Sequence, residues 1–183
     1  SKVGDLGTVS VSFDISAIDL TGKQSCQPLQ LVVSNDSNFT SPTTYDLTVS
    51  GTSASVSNVA FSDGDYFTLR YLDQIVWDGS AYFNGSGTLN APDTSDSCLK
   101  LTVKAGSLAL LNADAFVREV EIEAGATFEV VDGLLLEVEN GVNNNGTIQF
   151  SGEAQLIQNH TGPSLNTGSG ILKMTQEGTS NLY

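Results

Sequence analysis

The residues most capable of chemistry are glutamates that recur along the second half of the chain. Six of them occupy three successive predicted strands: Glu119, Glu121, Glu123, Glu129, Glu137 and Glu139. A glycosidase needs two carboxylates about 5–10 Å apart, one of them with a raised pKa. Neighbouring strands lie about 4.8 Å apart, so this distance is easily met and is weak evidence for catalysis. We favour a solvated acidic face.

A polysaccharide lyase with a β-helix fold is the competing enzyme class. Its chemistry usually combines acidic groups with Lys, Arg or Ca²⁺. The basic residues near the repeats are few and scattered: Lys100, Lys104, Arg118 and Lys173. The sequence therefore predicts no enzymatic activity and no catalytic residues, and a polysaccharide-degrading enzyme remains the least favoured alternative.

Oxygen-rich loops offer the main candidate metal ligands. Asp36 lies in an Asn-rich turn, and Asp63 and Asp65 flank a glycine. Calcium takes six to eight oxygen ligands at roughly 2.3–2.6 Å, but neither loop has EF-hand spacing. Asp and Asn also cap turns of their own backbone, and we favour that role. The single histidine, His160, has no second histidine to complete a zinc site. Calcium is thus the one cofactor left open.

Three aromatic residues cluster between the two halves of the chain. Trp77, Tyr82 and Phe83 resemble in composition a platform on which a sugar ring could stack. Each ring would equally remove about 150–250 Å² from water if it were buried at a domain junction. We favour the junction and keep a weak carbohydrate-binding site as the alternative.

The two cysteines, Cys26 and Cys98, fall in different parts of the chain. In an oxidising compartment they would pair as a disulfide. The alternative is two separate buried thiols. Pairing requires Cα atoms within about 7 Å, which the sequence does not reveal.

One pattern, an alternating apolar strand, a turn containing Gly and a second strand, recurs after Leu99. Its copies are Leu101–Leu111, Val120–Val131 and Thr147–Ile157. We interpret Gly106, Gly125 and Gly152 as the same turn in each copy. A unit this short cannot bury its own apolar face and must stack on its neighbours. Residues 99–183 are therefore predicted to form a short parallel β-solenoid.

The N-terminal region has a different pattern. Five predicted strands follow one another at intervals of roughly ten residues, with alternating faces, which favours an antiparallel β-sandwich over residues 1–72. Residues 73–98 are rich in Gly, Asn and Pro and are predicted to be a linker or junction. The predicted fold class is all-β.

The amino-acid composition limits the classes of partner that the chain can bind. Seven basic residues against 21 acidic ones give a formal charge of −14, which repels phosphate backbones. No apolar run approaches the ~20 residues that a membrane-spanning helix needs. We therefore expect neither nucleic-acid binding nor membrane insertion.

Seven short segments carry a resemblance to a known family: Asn35–Thr40, Phe61–Leu69, Val76–Tyr82, Asn84–Gly87, Ala91–Pro92, Asn143–Thr147 and Ala154–Gln158. In this order they resemble multidomain surface proteins that Bacteroidota secrete by the type IX route, including gliding-motility adhesins. The family's C-terminal sorting domain does not occur before Tyr183, so we expect an internal fragment of a longer protein.

The resemblance implies an extracellular or cell-surface stalk, spacer or adhesive segment. Its partners would be other domains of the parent protein, with the secretion machinery, surface proteins or glycans as further candidates. The predicted function is a non-catalytic structural or adhesive segment, and a carbohydrate-binding module is the alternative.

Overall fold

The computed structural model describes residues 7–21, 23, 26–84 and 87–175. In this part of the chain the regular structure is β-strand, apart from one 3-10 turn at Thr94–Asp96. None of these residues forms a helix long and apolar enough to cross a bilayer. The chain divides into two compact units, Ser1–Leu72 and Asp73–Tyr183. The predicted all-β class is confirmed.

In the first unit, the described residues form one antiparallel sheet of five strands. Their bounds are β1 (Thr8–Asp14), β2 (Leu29–Ser34), β3 (Thr43–Ser50), β4 (Ser53–Ala60) and β5 (Tyr66–Tyr71). The strand order is β1-β4-β3-β2-β5, with antiparallel neighbours throughout. The predicted antiparallel architecture is confirmed, and its strands form a single sheet curved into half a barrel.

Curvature gives this sheet a core without a second layer. Alternate residues such as Leu29, Leu31 and Val33 point to one face and are buried there. Phe13 on β1 and Phe67 on β5 approach with ring centroids 6.2 Å apart, although these strands are the two edges of the sheet. The curved sheet therefore encloses the apolar surface that two flat sheets would share in a sandwich.

The described residues of the second unit form thirteen short strands. They are β6 (Gln74–Trp77), β7 (Tyr82–Phe83), β8 (Thr88–Leu89), β9 (Lys100–Val103), β10 (Leu108–Leu111), β11 (Ala115–Val117), β12 (Glu119–Ile122), β13 (Thr127–Val130), β14 (Leu135–Val138), β15 (Val142–Asn144), β16 (Thr147–Ser151), β17 (Gln155–Gln158) and β18 (Ile171–Thr175). All inter-rung pairings are parallel, and the predicted solenoid, of about four turns, is confirmed.

The solenoid has three faces, and each face is a sheet of parallel strands from successive turns. Face 1 is β6-β9-β12-β15, face 2 is β10-β13-β16-β18 and face 3 is β11-β14-β17. One turn around these faces is a rung. Successive rungs align Lys100 with Glu119 and Val120 with Val142, so a rung takes 19 or 22 residues at these positions. This near-constant repeat keeps equivalent side chains stacked in columns.

Apolar columns fill the interior. Ile75, Leu101 and Val120 stack on face 1, and Ala109 and Phe128 begin the equivalent column on face 2. All five side chains are buried. Full burial of a side chain of this size contributes about 1.5–3 kcal/mol, so the columns are the main stabilising element.

One sequence interpretation, the common turn of the three glycines, is wrong. Gly106 and Gly125 do stack at one corner, where a Cβ at Gly125 would lie 3.9 Å from the Gly106 nitrogen. Gly152 instead lies at the following corner, against the Asp132 side chain. The reason is that a strand–turn–strand unit occurs at more than one corner of a rung, and Thr147 pairs with Thr127 rather than with Val120.

The described residues of 73–98, namely 73–84 and 87–98, contribute strands to the second unit. Strand β6 pairs in parallel with β9, and β7 and β8 extend face 1 as an antiparallel hairpin. The 3-10 turn at Thr94–Asp96 follows the hairpin. The segment that looks like a linker because of its Gly and Pro content thus forms the beginning of the solenoid.

We expect Ile122→Asp to destabilise the fold by ~4 kcal/mol or more, because it places an unpaired charge in a column where Ile122 is 0 % exposed. Chemical denaturation followed by circular dichroism measures this change. Thr127→Asp, on the outer side of face 2, is the control and should cost far less. Equal stabilities of the two variants would contradict the assigned register.

Candidate functional site

Carboxylates on the solenoid connect neighbouring rungs. Every Asp and Glu from Asp114 to Glu139 accepts a hydrogen bond from a residue 18 to 22 positions away. Backbone N–H groups donate to Asp114 (from Leu135, 2.9 Å), Glu123 (from Ala105, 2.9 Å) and Asp132 (from Glu153, 2.7 Å). Side chains donate from Lys100 to Glu121 (2.8 Å), Lys104 to Glu123 (2.8 Å), Asn140 to Glu119 (3.3 Å), Ser151 to Glu129 (2.9 Å) and Asn159 to Glu137 (2.7 Å) and Glu139 (3.2 Å).

Glu123 has the most extensive of these contacts. Its two carboxylate oxygens accept from the Lys104 ammonium and from the Ala105 N–H. The hydrogen bond from Lys104, followed by that from Ala105, holds the pKa of Glu123 below its ordinary value. A carboxylate held in its ionised form by two donors serves as an acceptor and does not supply a proton.

The glutamates are spread over the three faces of the solenoid. Glu119 and Glu121 share the outer side of face 1, where Arg118 and Lys100 pair with them. Glu121 and Glu137 belong to different sheets, on face 1 and face 3. Both already contact a neighbouring rung. The geometry therefore gives the solenoid glutamates a structural role.

Asp93 and Asp96 form a different kind of carboxylate pair. Burial raises the pKa of Asp96, whereas hydrogen bonds from Ser95 lower the pKa of Asp93. Opposed shifts of this kind also occur in acid–base pairs. Here, however, Asp96 is only 8 % exposed and accepts the Asp93 N–H at 2.9 Å, while Asp93 accepts the Ser95 N–H at 2.7 Å. The pair caps the 3-10 turn.

The aromatic residues do not form an exposed platform. Tyr82 is 1 % exposed, and its hydroxyl donates to the Leu110 carbonyl oxygen at 2.9 Å. Trp77 packs edge-on against Tyr82, with ring centroids 4.7 Å apart, and lies partly buried against the solenoid core. Phe83 is 44 % exposed. Tyr82 is thus part of the core at the first rung, and Trp77 packs against that core.

The candidate calcium ligands have other partners. Asp36 accepts hydrogen bonds from the Asn38 N–H at 2.8 Å and the Thr40 hydroxyl at 2.8 Å, and the Thr40 contact lowers its pKa. Asp65 accepts the Ser62 N–H at 2.7 Å. Among the described residues, no three His, Cys, Asp or Glu side chains form a group that could hold a metal ion, so Asp36, Asp63 and Asp65 are not brought together as one. Turn capping accounts for Asp36 and Asp65.

Both cysteines are oxidised. Cys26 and Cys98 are disulfide-bonded, and the chain has no free thiol. Of the two states that the sequence leaves open, the structure has the disulfide. Disulfides persist in oxidising compartments, which include the cell exterior.

Sequence reasoning missed a polar groove on the outer side of face 1. The groove is lined by Lys100, Glu119, Glu121, Asn140, Asn143, Leu165 and Thr167, with backbone from Val120 and Gly141. Its volume is about 450 Å³. Its residues are spread over four rungs, so no local motif marks it. The one available signal is the long Gly-, Ser- and Asn-rich interval before Ile171, which interrupts the repeat.

Glu123→Ala should cost about 0.5–1 kcal/mol, because it removes an ion pair and a hydrogen bond between rungs. Glu153→Ala, which removes the same charge from an exposed turn, is the matched control. Since the folded-state pKa of Glu123 is lowered, its contribution is present above its ordinary pKa and is lost as pH falls through the folded value. Urea denaturation at pH 7 and pH 3 should therefore separate the variants more at pH 7 than at pH 3.

The opposite sign applies to Asp96, whose pKa is raised by burial. Below the unfolded pKa, Asp96 is protonated in both the folded and the unfolded state. As pH rises through the folded pKa, the loss of folding stability caused by burying the ionised carboxylate grows. Asp96→Asn keeps an acceptor for the Asp93 N–H, so we expect a higher Tm at pH 7 and no gain at pH 3. Asp93→Asn should lower the Tm at pH 7, because the pKa of Asp93 is lowered. A lower Tm for Asp96→Asn at pH 7 would refute this assignment.

Comparison with known proteins does not assign a family. No family model matches the chain, and neither a curated protein nor a solved structure matches it. The features of the chain that bear on its function are the contacts of the carboxylates, the position of the aromatic rings and the groove on face 1.

Proposed function

We propose that this chain is a non-catalytic structural or adhesive segment of a larger extracellular bacterial surface protein, exported by the type IX route. One observation carries the proposal: every carboxylate from Asp114 to Glu139 accepts a hydrogen bond from a residue of a neighbouring rung. These groups stabilise the stack of parallel strands. The solenoid would act as a β-rich spacer that carries a binding surface.

The distribution of acidic groups supports a structural role over a hydrolase. A retaining or inverting glycosidase needs a pair of carboxylates across one cleft, one of which can donate a proton. Glu119 and Glu121 are the two glutamates that share one groove, and each is already paired with a cation, Arg118 and Lys100. Glu123 is held in its ionised form. The buried Asp96 is occupied by its own turn. None of these arrangements resembles a general acid positioned beside a substrate.

Two further observations support an extracellular setting, and a third bears on the partners. The seven segments that resemble type IX surface proteins, taken in their order along the chain, imply a location outside the cell. The disulfide state of Cys26 and Cys98 is compatible with an oxidising environment. The net charge of −14 favours solubility and disfavours binding to nucleic acid.

Incubation with neutral and uronic-acid polysaccharides tests the non-catalytic role. We expect no new reducing ends and no unsaturated sugar product. The control is the double variant Glu119→Gln, Glu121→Gln, which retains acceptor oxygens at both positions of the pair that shares the groove. Product released by the unmodified chain but not by the double variant would overturn the proposal in favour of an enzyme.

Labelling of intact source cells with an antibody against the chain tests the location. We expect labelling without permeabilisation, and its loss after brief external proteolysis. Signal seen only after permeabilisation would contradict the surface assignment. A cytoplasmic protein of the same cells serves as the control for leakage.

A further inference from the structure

A long insertion interrupts the solenoid beside face 1. The passage from face 3 to face 1 takes one residue, Arg118, between β11 and β12, and three residues, 139–141, between β14 and β15. After β17 the chain makes only one bridge to face 1, from Thr167 to Asn143, before β18 begins on face 2. Residues 159–166 therefore form a loop that the repeat does not require, and loops on a rigid scaffold commonly carry binding residues.

Specific contacts fix this loop against the sheet. A Cβ at Gly141 would lie 2.5 Å from the Leu165 carbonyl oxygen, so only glycine permits the observed approach. The Asn166 side-chain oxygen accepts the Val142 N–H at 2.9 Å and the Gln158 amide at 2.7 Å. The loop is thus a fixed wall of the groove.

The floor of the groove is formed by outward-pointing side chains of successive rungs. Glu121 pairs in register with Asn143, which bridges to Thr167, so the three lie in one column. Lys100 reaches diagonally across to Glu121 at 2.8 Å. In the neighbouring column, Gly141 follows Glu119, and the backbone of Leu165 occupies the position where other rungs place a side chain.

The charges in this groove are already balanced by each other. Lys100 neutralises Glu121, and the Arg118 Nε lies 3.6 Å from a Glu119 carboxylate oxygen. A free cation or anion would have to compete with these pairs. Carboxylates, amides and a hydroxyl nevertheless retain acceptor and donor capacity toward a neutral ligand, since each carboxylate offers about four lone-pair directions.

An apolar surface adjoins the polar floor. Leu165 is 53 % exposed on the wall of the groove. A ligand that matches the site needs hydroxyl groups on one side and C–H groups on another. Sugars combine these features, whereas apolar peptides would leave the floor without hydrogen-bond partners.

We propose that the groove between the 159–166 loop and face 1 binds a neutral carbohydrate, with adjacent hydroxyls on Glu121, Asn143 and Thr167 and a C–H face against Leu165. This inference deepens the adhesive role and rests on it. The groove is shallow and has no aromatic ring, so a single site should bind in the millimolar range, about −4 kcal/mol. Several copies on one cell surface would raise the effective affinity.

Titration of the ¹⁵N-labelled chain with gluco-, galacto- and manno-oligosaccharides tests the site by NMR. We expect saturable amide shifts confined to residues 119–121, 140–143 and 165–167 for at least one of these sugars. Asn143→Ala and Thr167→Val should each weaken the binding about tenfold. Gln149→Ala, on the outer side of face 2, is the matched control and should bind as the unmodified chain does.

Two results would overturn the inference: no saturable shift with any of the sugars, or shifts that map elsewhere, such as around Phe83, and persist in both variants. The Thr167→Val variant preserves side-chain size and the backbone hydrogen bond from Thr167 to Val142, so loss of binding there does not reflect unfolding. A chain that lacks sugar binding, yet is displayed on cells and releases no product, defeats this inference alone. Polysaccharide cleavage defeats the proposed function itself.

Discussion

The solenoid depends on the stacking of one rung on the next. A single rung has three short strands that exchange few backbone hydrogen bonds among themselves, because they lie on different faces. Its N–H and C=O groups are satisfied by the rungs on either side, and its inward apolar side chains are covered by the same neighbours. Both the polar and the apolar requirements of folding are met by one parallel register.

Inter-rung carboxylates follow from the same constraint. At the corners, backbone N–H groups turn away from the sheets and need acceptors. Asp114, Glu123 and Asp132 supply them across the gap to the neighbouring rung. The acidic surface, for which the sequence favours a solvated face over catalysis, is thus largely a set of structural acceptors. The residues left for recognition are those where the regular stack is interrupted.

Near the last rungs the repeat is interrupted, and local hydrogen bonds stabilise the chain at that point. Asn144 occupies an inward-facing position equivalent to Ile122, and its side chain accepts the Gly146 N–H and donates to the Ile171 carbonyl oxygen. A Cβ at Gly168 would lie 2.1 Å from the Asn144 carbonyl oxygen, so glycine is required there. An amide thus replaces an apolar side chain where the chain leaves face 1. This departure from the repeat places the 159–166 loop beside the groove.

The sequence by itself determined the fold class, because a period of two in apolar residues specifies strands whatever their partners. It also determined that short strand–turn–strand units must stack. The identity of each corner was decided only by the tertiary structure: Gly152 has the same local pattern as Gly106 and Gly125 but lies at another corner, since strand–turn–strand units at different corners look alike in sequence. Likewise the burial of Tyr82 depends on its pairing with Trp77 over the first rung. The groove on face 1 joins Lys100 to Thr167 across four rungs, and only the register, a long-range property, brings such distant residues together.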